Sequence, residues 1–97
     1  MTAPRRIFKL VVPVDDRWHP LDGVHSIEQI LHVADQGNAG LVAVWFERDR
    51  NEYALTRPRE IEARVYGTGH EIEDESAQYV GTAITANGRL IWHLLAR

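Results

Sequence analysis

The chain has 97 residues, no cysteine and a net charge of −3, from 11 basic and 14 acidic side chains. This length predicts a single domain over residues 1–97, with one core and no deep substrate cavity. The absence of cysteine excludes disulfides, thiol catalysis and zinc–thiolate sites. The net negative charge disfavours nucleic-acid binding, which usually needs a basic patch. The sequence has no stretch of roughly 20 apolar residues that could span a membrane.

The first segment predicts a strand. Apolar side chains at every second position share one face, with Lys9 on the other; they are Phe8, Leu10, Val12 and Val14. Pro13 has no N–H to donate, so its end of the strand should be an edge or a terminus. The apolar run is too short and too interrupted for a signal peptide. Residues 15–23 then predict a loop, from their Pro, Gly and Asp content.

Residues 24–36 fit two structures. Ser26 followed by Gln29 resembles a capping box, and an apolar stripe from Ile27 to Ala34 favours a short helix. The β-branched run 30–34, however, leads into the turn-forming residues 36–40 and then into the strand 41–47. A strand, a glycine-bearing turn and a second strand make a hairpin. Both alternatives stay open.

The second half of the chain predicts further strands. Residues 48–59 are polar and read as an exposed connection, whereas residues 60–67 alternate cleanly between apolar and polar. Strands at 79–86 and 89–95 flank Asn87-Gly88, a strong hairpin signal because both turn residues take positive φ in a type I′ turn. About six strands with short turns predict an all-β fold: an antiparallel meander that closes into a barrel or a small sandwich.

The sequence Gly67-Thr68-Gly69-His70 is the candidate functional loop. A phosphate-binding loop needs converging backbone N–H groups with a helix or a lysine behind them. Here the acidic run 71–75 follows and would repel a phosphate. A sharp turn or bulge that needs glycine is the simpler explanation. The other explanation is that residues 67–70 form a partner-binding loop. The acidic run 71–75 itself predicts a solvated loop.

The chemistry-bearing residues match no catalytic or metal motif. The five histidines form no H-x-H or H-E-x-x-H pair, and His70 beside the acidic run is the best single metal candidate. Ser26 and Ser76 lie outside any Gly-x-Ser-x-Gly elbow. We therefore expect no catalytic residue, no metal, no cofactor and no enzymatic activity.

Two strands are apolar on both faces. In strand 41–47 one face suffices for the core, which leaves Leu41, Ala43 and Trp45 on the other; in strand 89–95, Ile91 and Leu95 lie opposite the core face with His93 between them. Small monomers rarely expose such surfaces. Either a segment of the chain covers them, such as a helix at 24–36, or a second subunit does. The predicted partner-binding residues are Leu41, Trp45, Ile91, His93 and Leu95.

Several short motifs also suggest a family. The Gly-Thr-Gly-His turn at 67–70, the Tyr-x-Gly-Thr strand start at 79–82 and the Trp92-His93 pair near the end resemble a family of small uncharacterised proteins of bacteriophages and bacteria that carry their remnants. This resemblance implies a phage accessory protein in the host cytoplasm that acts on a host or phage macromolecule.

The function expected is therefore a small, non-catalytic binding protein that associates with itself and with other proteins. The alternative is a protein that binds or sequesters a small, nucleotide-like ligand at a barrel mouth or subunit interface.

Overall fold

In the computed structural model, which describes residues 5–37, 40–49, 59–85 and 87–97, two antiparallel sheets enclose one core. The described strands are β1 (Arg5–Pro13), β2 (His19–Pro20), β3 (Ile30–Asp35), β4 (Leu41–Asp49), β5 (Glu62–Gly67), β6 (Gln78–Ile84) and β7 (Ile91–Ala96). The first sheet has the order β1-β4-β3 and the second β2-β5-β7-β6. The fold is all-β as predicted, in two packed sheets and not a closed barrel.

The first sheet follows the predicted alternation. Strand β4 lies in the middle, with Val12 of β1 opposite Val42 and Val33 of β3 opposite Val44. These side chains are buried in the core together with Phe46. The core face of strand 41–47 is thus the predicted one. Strand β4 extends to Asp49, so it takes two residues from the predicted connection 48–59; residues 50–58 of that connection lie outside the described residues.

Strand β1 is an edge of its sheet and ends at Pro13, which confirms the position predicted for that proline. Val14 N–H donates to the Gly40 carbonyl over 2.7 Å, so these two residues form a hydrogen-bonded pair. Such pairs alternate along an antiparallel ladder. The even-numbered residues of β1 therefore bond to β4, and the missing N–H of Pro13 falls on the free side.

Each alternative for residues 24–36 is correct in part. The capping box is present: the Ser26 hydroxyl accepts a hydrogen bond from the Glu28 N–H, and the Gln29 carboxamide oxygen accepts one from the Ser26 N–H over 3.0 Å. It begins only one 3-10 turn, Ile27–Gln29, and strand β3 follows at once. The predicted helix is therefore absent from this segment, and the predicted hairpin of β3 and β4 is present.

The second sheet contains the predicted hairpin of β6 and β7, with Ile84 opposite Ile91. Its turn differs from the expected type I′. Gly88 has a φ of +72°, but Asn87 does not share that positive φ. The Asn87 side-chain oxygen instead accepts from Thr85 and from the Arg89 N–H. The Asn side chain therefore stabilises a longer loop. The predicted loop 15–23 also contains the short strand β2, which sequence reasoning missed.

The two sheets meet where the edge strands β3 and β6 face each other. A Cβ placed on Gly81 would lie 2.9 Å from Cγ2 of Val33, so only glycine allows this approach. Both strands carry a bulge at this point, at Leu31 in β3 and Val80 in β6. Bulges bend an edge strand and re-aim its side chains, and here they close one side of the core.

Candidate functional site

Residues 67–70 form a tight turn. The His70 N–H donates to the Gly67 carbonyl over 3.2 Å, and Gly69 has a φ of +89°. A positive φ at the third residue is the mark of a type II turn, in which glycine is favoured. The imidazole of His70 lies against the α-carbon of Gly67, and both Thr68 and His70 are exposed.

The turn is joined to the second sheet through His93. The Thr68 hydroxyl is 2.9 Å from Nε2 of His93, and the Thr82 hydroxyl is 3.1 Å from Nδ1 of the same ring. The Thr82 hydroxyl also pairs with the Tyr79 hydroxyl. Sequence reasoning selected Thr68 and His93 separately, and the structure brings them together with Thr82 and Tyr79.

The bulge at Val80 makes this chain of side chains possible. In a regular strand, residues 79 and 82 point to opposite faces, because the side-chain period is two. The extra residue places Tyr79 opposite Leu95 and Thr82 opposite His93, on the same outer side of the sheet. The Tyr-x-Gly-Thr motif was the available signal, but only the register reveals what it does.

The geometry of this hydrogen-bond network is that of a structural contact. A neutral imidazole donates from one ring nitrogen and accepts at the other, and hydroxyls occupy both positions of His93. A catalytic histidine of the triad type has a carboxylate that orients it, and the described contacts of His93 include none. The network therefore holds the turn 67–70 against β6 and β7.

The acidic run 71–75 is not a purely solvated loop. Glu73 forms an ion pair with Arg64 of β5 at 2.7 Å, and Asp74 forms one with Arg97 at 2.6 Å. Hydrogen bonds from the Ser76 hydroxyl and from Arg97 lower the pKa of Asp74 to about 2. These two ion pairs and the hydrogen bond between Thr68 and His93 fasten the connection between β5 and β6, which we call the covering loop (residues 68–77), at three points.

Aromatic and cationic side chains pack beside the covering loop. The Trp18 ring meets that of Tyr66 edge-on at 6.3 Å, the Arg64 guanidinium lies 4.5 Å from the Tyr66 ring, and the Arg97 guanidinium lies 4.2 Å from the Trp18 ring. Burial raises the pKa of the Tyr66 hydroxyl. Leu95, between Arg64 and Tyr79 in register, is only 3% exposed. On this side, Leu95 is buried without any helix of the described residues over it, whereas Tyr79, Ile84 and Ile91 are exposed.

The outer side of the first sheet is different. Its side chains come from three neighbouring strands, and we call this surface the outer face: Ile7, Lys9 and Val11 of β1, Leu41, Ala43 and Trp45 of β4, and His32 and Ala34 of β3. Ile7 is 66% and Val11 39% exposed. The Trp45 ring is half-buried and lies 5.6 Å from the His32 ring.

The five predicted partner-binding residues therefore do not form one surface. Leu41 and Trp45 belong to the outer face of the first sheet, whereas Ile91, His93 and Leu95 lie on the far side of the second. The expectation that these residues share one interaction face is therefore wrong, and the reason is physical. The outer sides of two packed sheets point away from each other, and alternation within one strand cannot show which sheet the strand joins.

Two open clefts lie on the described part of the surface. The seam cleft, about 240 Å³, lies between β3 and β6 and is lined by residues 30–33 and 80–82. The end cleft, about 380 Å³, lies beside the 3-10 turn and is lined by residues 25–28 and by Ile61, Ser76, Gln78, Ala96 and Arg97.

Neither metal-ligand clusters nor spanning helices occur in the described part of the chain. Its His, Asp and Glu side chains form no group of three or more that could hold a metal ion. Within residues 5–37, 40–49, 59–85 and 87–97, no helix has the length and apolarity to cross a membrane.

Comparison with known proteins gives a family match. Residues 3–97 match a domain family described as a domain of unknown function, DUF7352. No curated protein and no solved structure matches the chain. The family match spans nearly the whole chain, carries no activity with it and does not link the chain to phages.

Proposed function

Since the chain belongs to the DUF7352 family of domains of unknown function, we propose from its own geometry that it is a non-catalytic binding protein that associates with itself through the outer face. Following the motif resemblance in the sequence, we further propose that the assembled protein acts on a phage or host macromolecule in the host cytoplasm.

The observation that supports this proposal is the exposed apolar surface of the first sheet. Ile7 and Val11 are exposed beside the half-buried Trp45. On the second sheet, ion pairs and a hydrogen bond to His93 hold the covering loop in place, although Tyr79, Ile84 and Ile91 are exposed there. Exposed apolar surface that spans several strands is typical of interaction sites.

The arrangement of charge on the outer face suits a second copy of the chain. Val11, Leu41 and Trp45 supply apolar surface, the exposed Lys9 and His32 flank Trp45, and the ion pair of Arg5 and Glu47 lies at one end at 2.8 Å. Apolar side chains interspersed with polar groups are usual in a reversible protein interface. Because the outer face carries both signs of charge, a two-fold axis can place unlike charges against each other.

The size of the outer face sets the strength of the association. Two strands about 30 Å long and one about 20 Å long, spaced about 4.8 Å apart, give roughly 400 Å² in projection. Two copies would then bury about 800 Å² in total, which is less than the roughly 1,200–2,000 Å² of a standard stable interface. We therefore expect a weak, reversible dimer.

The test is sedimentation equilibrium of the wild type and of Trp45→Glu, with circular dichroism to monitor the sheet. An unpaired charge in an apolar interface is costly, so the variant should stay monomeric and folded. Ile84→Glu is the matched control, because Ile84 is 59% exposed but lies on the second sheet. A wild type that stays monomeric at high micromolar concentration, or an equal effect of both variants, would refute the proposal.

A second candidate function is small-ligand binding in the end cleft. Its volume of about 380 Å³ falls in the usual range for ligand sites, and its lining combines polar and apolar residues. The guanidinium of Arg97 is already paired with Glu62 and Asp74, so we expect a neutral ligand such as a nucleoside in preference to an anionic nucleotide. A thermal-shift screen tests this function: a nucleoside should raise Tm by mass action, and the corresponding nucleotide should raise it less.

A further inference from the structure

The free edge of β1 has a regular set of unused backbone groups. The even-numbered residues of β1 bond to β4, so the N–H and C=O groups of Arg5, Ile7, Lys9 and Val11 point away from the sheet. No strand among the described residues pairs with this edge. The register with β4 runs over nine residues without a bulge, so the edge is straight enough to template another strand.

The charges along this edge are of one sign. Strand β1 contains Arg5, Arg6 and Lys9 and no acidic residue, although the chain as a whole has a net charge of −3. Glu47 pairs with Arg5. Arg6 and Lys9 are exposed and have no ion-pair partner among the described residues. Three of the chain's 11 basic residues thus lie on one nine-residue strand.

We propose that the free edge of β1 binds an extended acidic segment of another protein, which adds as a fourth strand to the first sheet. Main-chain hydrogen bonds to an edge strand supply affinity in this mode, and side chains on alternate positions supply specificity. Acidic residues of the added strand lie beside Lys9 and Arg6, and apolar residues lie beside the exposed Ile7 and Val11.

The charges disfavour a second copy of the chain at this edge. Cross-strand neighbours of like charge are destabilising. If β1 paired antiparallel with itself about its centre, Lys9 would meet Lys9 of the second copy, and a shift by one pair would leave the two ammonium groups diagonal. Exposed edge lysines discourage such pairing, and an acidic strand turns the same charges into an attraction. This inference does not depend on the proposed self-association through the outer face.

The probe is a blocked nine-residue peptide in which glutamate and valine alternate, titrated into the wild-type protein at a concentration at which sedimentation shows it to be monomeric. Binding is followed by calorimetry and by amide exchange. We expect the amides of Ile7, Lys9 and Val11 to exchange fast in the free protein and slowly in the complex. The amides of Phe8 and Leu10 should be protected in both.

Two control peptides test the mode of binding. A lysine–valine peptide should not bind, and the acidic peptide with a central proline should bind at least about tenfold more weakly, since proline cannot join the ladder. Binding should weaken in 0.5 M salt because the charges are exposed.

Matched variants locate the site. Lys9→Glu should weaken binding of the acidic peptide by about five- to tenfold. Arg89→Glu, which makes the same charge change at an exposed position beyond β6, should leave that binding unchanged. The proposal would be overturned if both variants lost peptide affinity equally, or if no binding were seen at millimolar peptide. It would also be overturned if the Ile7 amide exchanged slowly without peptide, or if the peptide slowed exchange only in β3 or β6.

Discussion

Replacement of Gly81 by alanine should destabilise the fold through a single contact. The new Cβ would lie 2.9 Å from Cγ2 and 3.0 Å from Cβ of Val33, both in the buried seam between β3 and β6. Carbon atoms pack at about 3.5 Å or more, so one strand must move by roughly 0.6 Å. Overpacking of this kind costs about 1–3 kcal/mol. For a chain of this size that corresponds to a fall in Tm of about 5–20 °C.

Urea unfolding followed by tryptophan fluorescence and by circular dichroism measures this cost. Gly67→Ala is the matched control, because its Cβ would meet only the exposed ring of His70, which can swing away. That variant should change stability by less than about 0.5 kcal/mol. If Val33 is the obstacle, Gly81→Ala combined with Val33→Ala should be more stable than the sum of the single effects, with partial relief because the Val33 Cβ at 3.0 Å remains. Strict additivity would show that the steric reasoning is wrong.

Three further predictions concern polar contacts. Hydrogen bonds from Ser76 and Arg97 lower the pKa of Asp74 to about 2, so the contribution of Asp74 to the free energy of unfolding is complete above about pH 4 and is lost as the pH falls toward 2. The urea midpoint should therefore drop between about pH 4 and about pH 2, and it should drop less in Asp74→Asn. Gln29 is 1% exposed and bonds four backbone groups, so Gln29→Leu should cost about 3 kcal/mol or more in urea unfolding; Gln29→Glu should cost at least as much at neutral pH, because a buried carboxylate cannot donate to the Gly23 and Glu47 carbonyls. Thr68→Val should cost about 0.5–1.5 kcal/mol in the same assay, and Thr68→Ser should restore most of it.

Local patterns predicted much of this fold because they report on a strand's own two faces. The core face of β4, the hairpin of β6 and β7, the edge position of Pro13 and the capping box at Ser26 follow from alternation, turn residues and a missing N–H. Each of these depends on residues close together in sequence, so a single sequence contains the information.

The remaining features depend on contacts far apart in sequence. Nothing local shows that β1 pairs with β4 while β5 pairs with β7, and that division places Trp45 and His93 on different sides of the molecule. The bulge at Val80 leaves no residue signature beyond the glycine that follows it. The ion pair of Arg97 with Asp74 spans 23 residues. Such features arise when sheets assemble, after each strand's own preference is satisfied.

The two sheets differ in how the chain surrounds the apolar residues on their outer sides. On the second sheet, Leu95 is buried beside residues that ion pairs hold in place, although Tyr79, Ile84 and Ile91 are exposed. Substitution of Leu95 should therefore act on folding, whereas Ile84 can be replaced without disturbing the core. On the first sheet, Ile7 and Val11 are exposed, and no strand among the described residues pairs with the outer edge of β1. A small domain has few residues to spare for covering both sheets. We therefore expect substitutions at Ile7 and Val11 to leave the core intact and to change the associations proposed for this sheet.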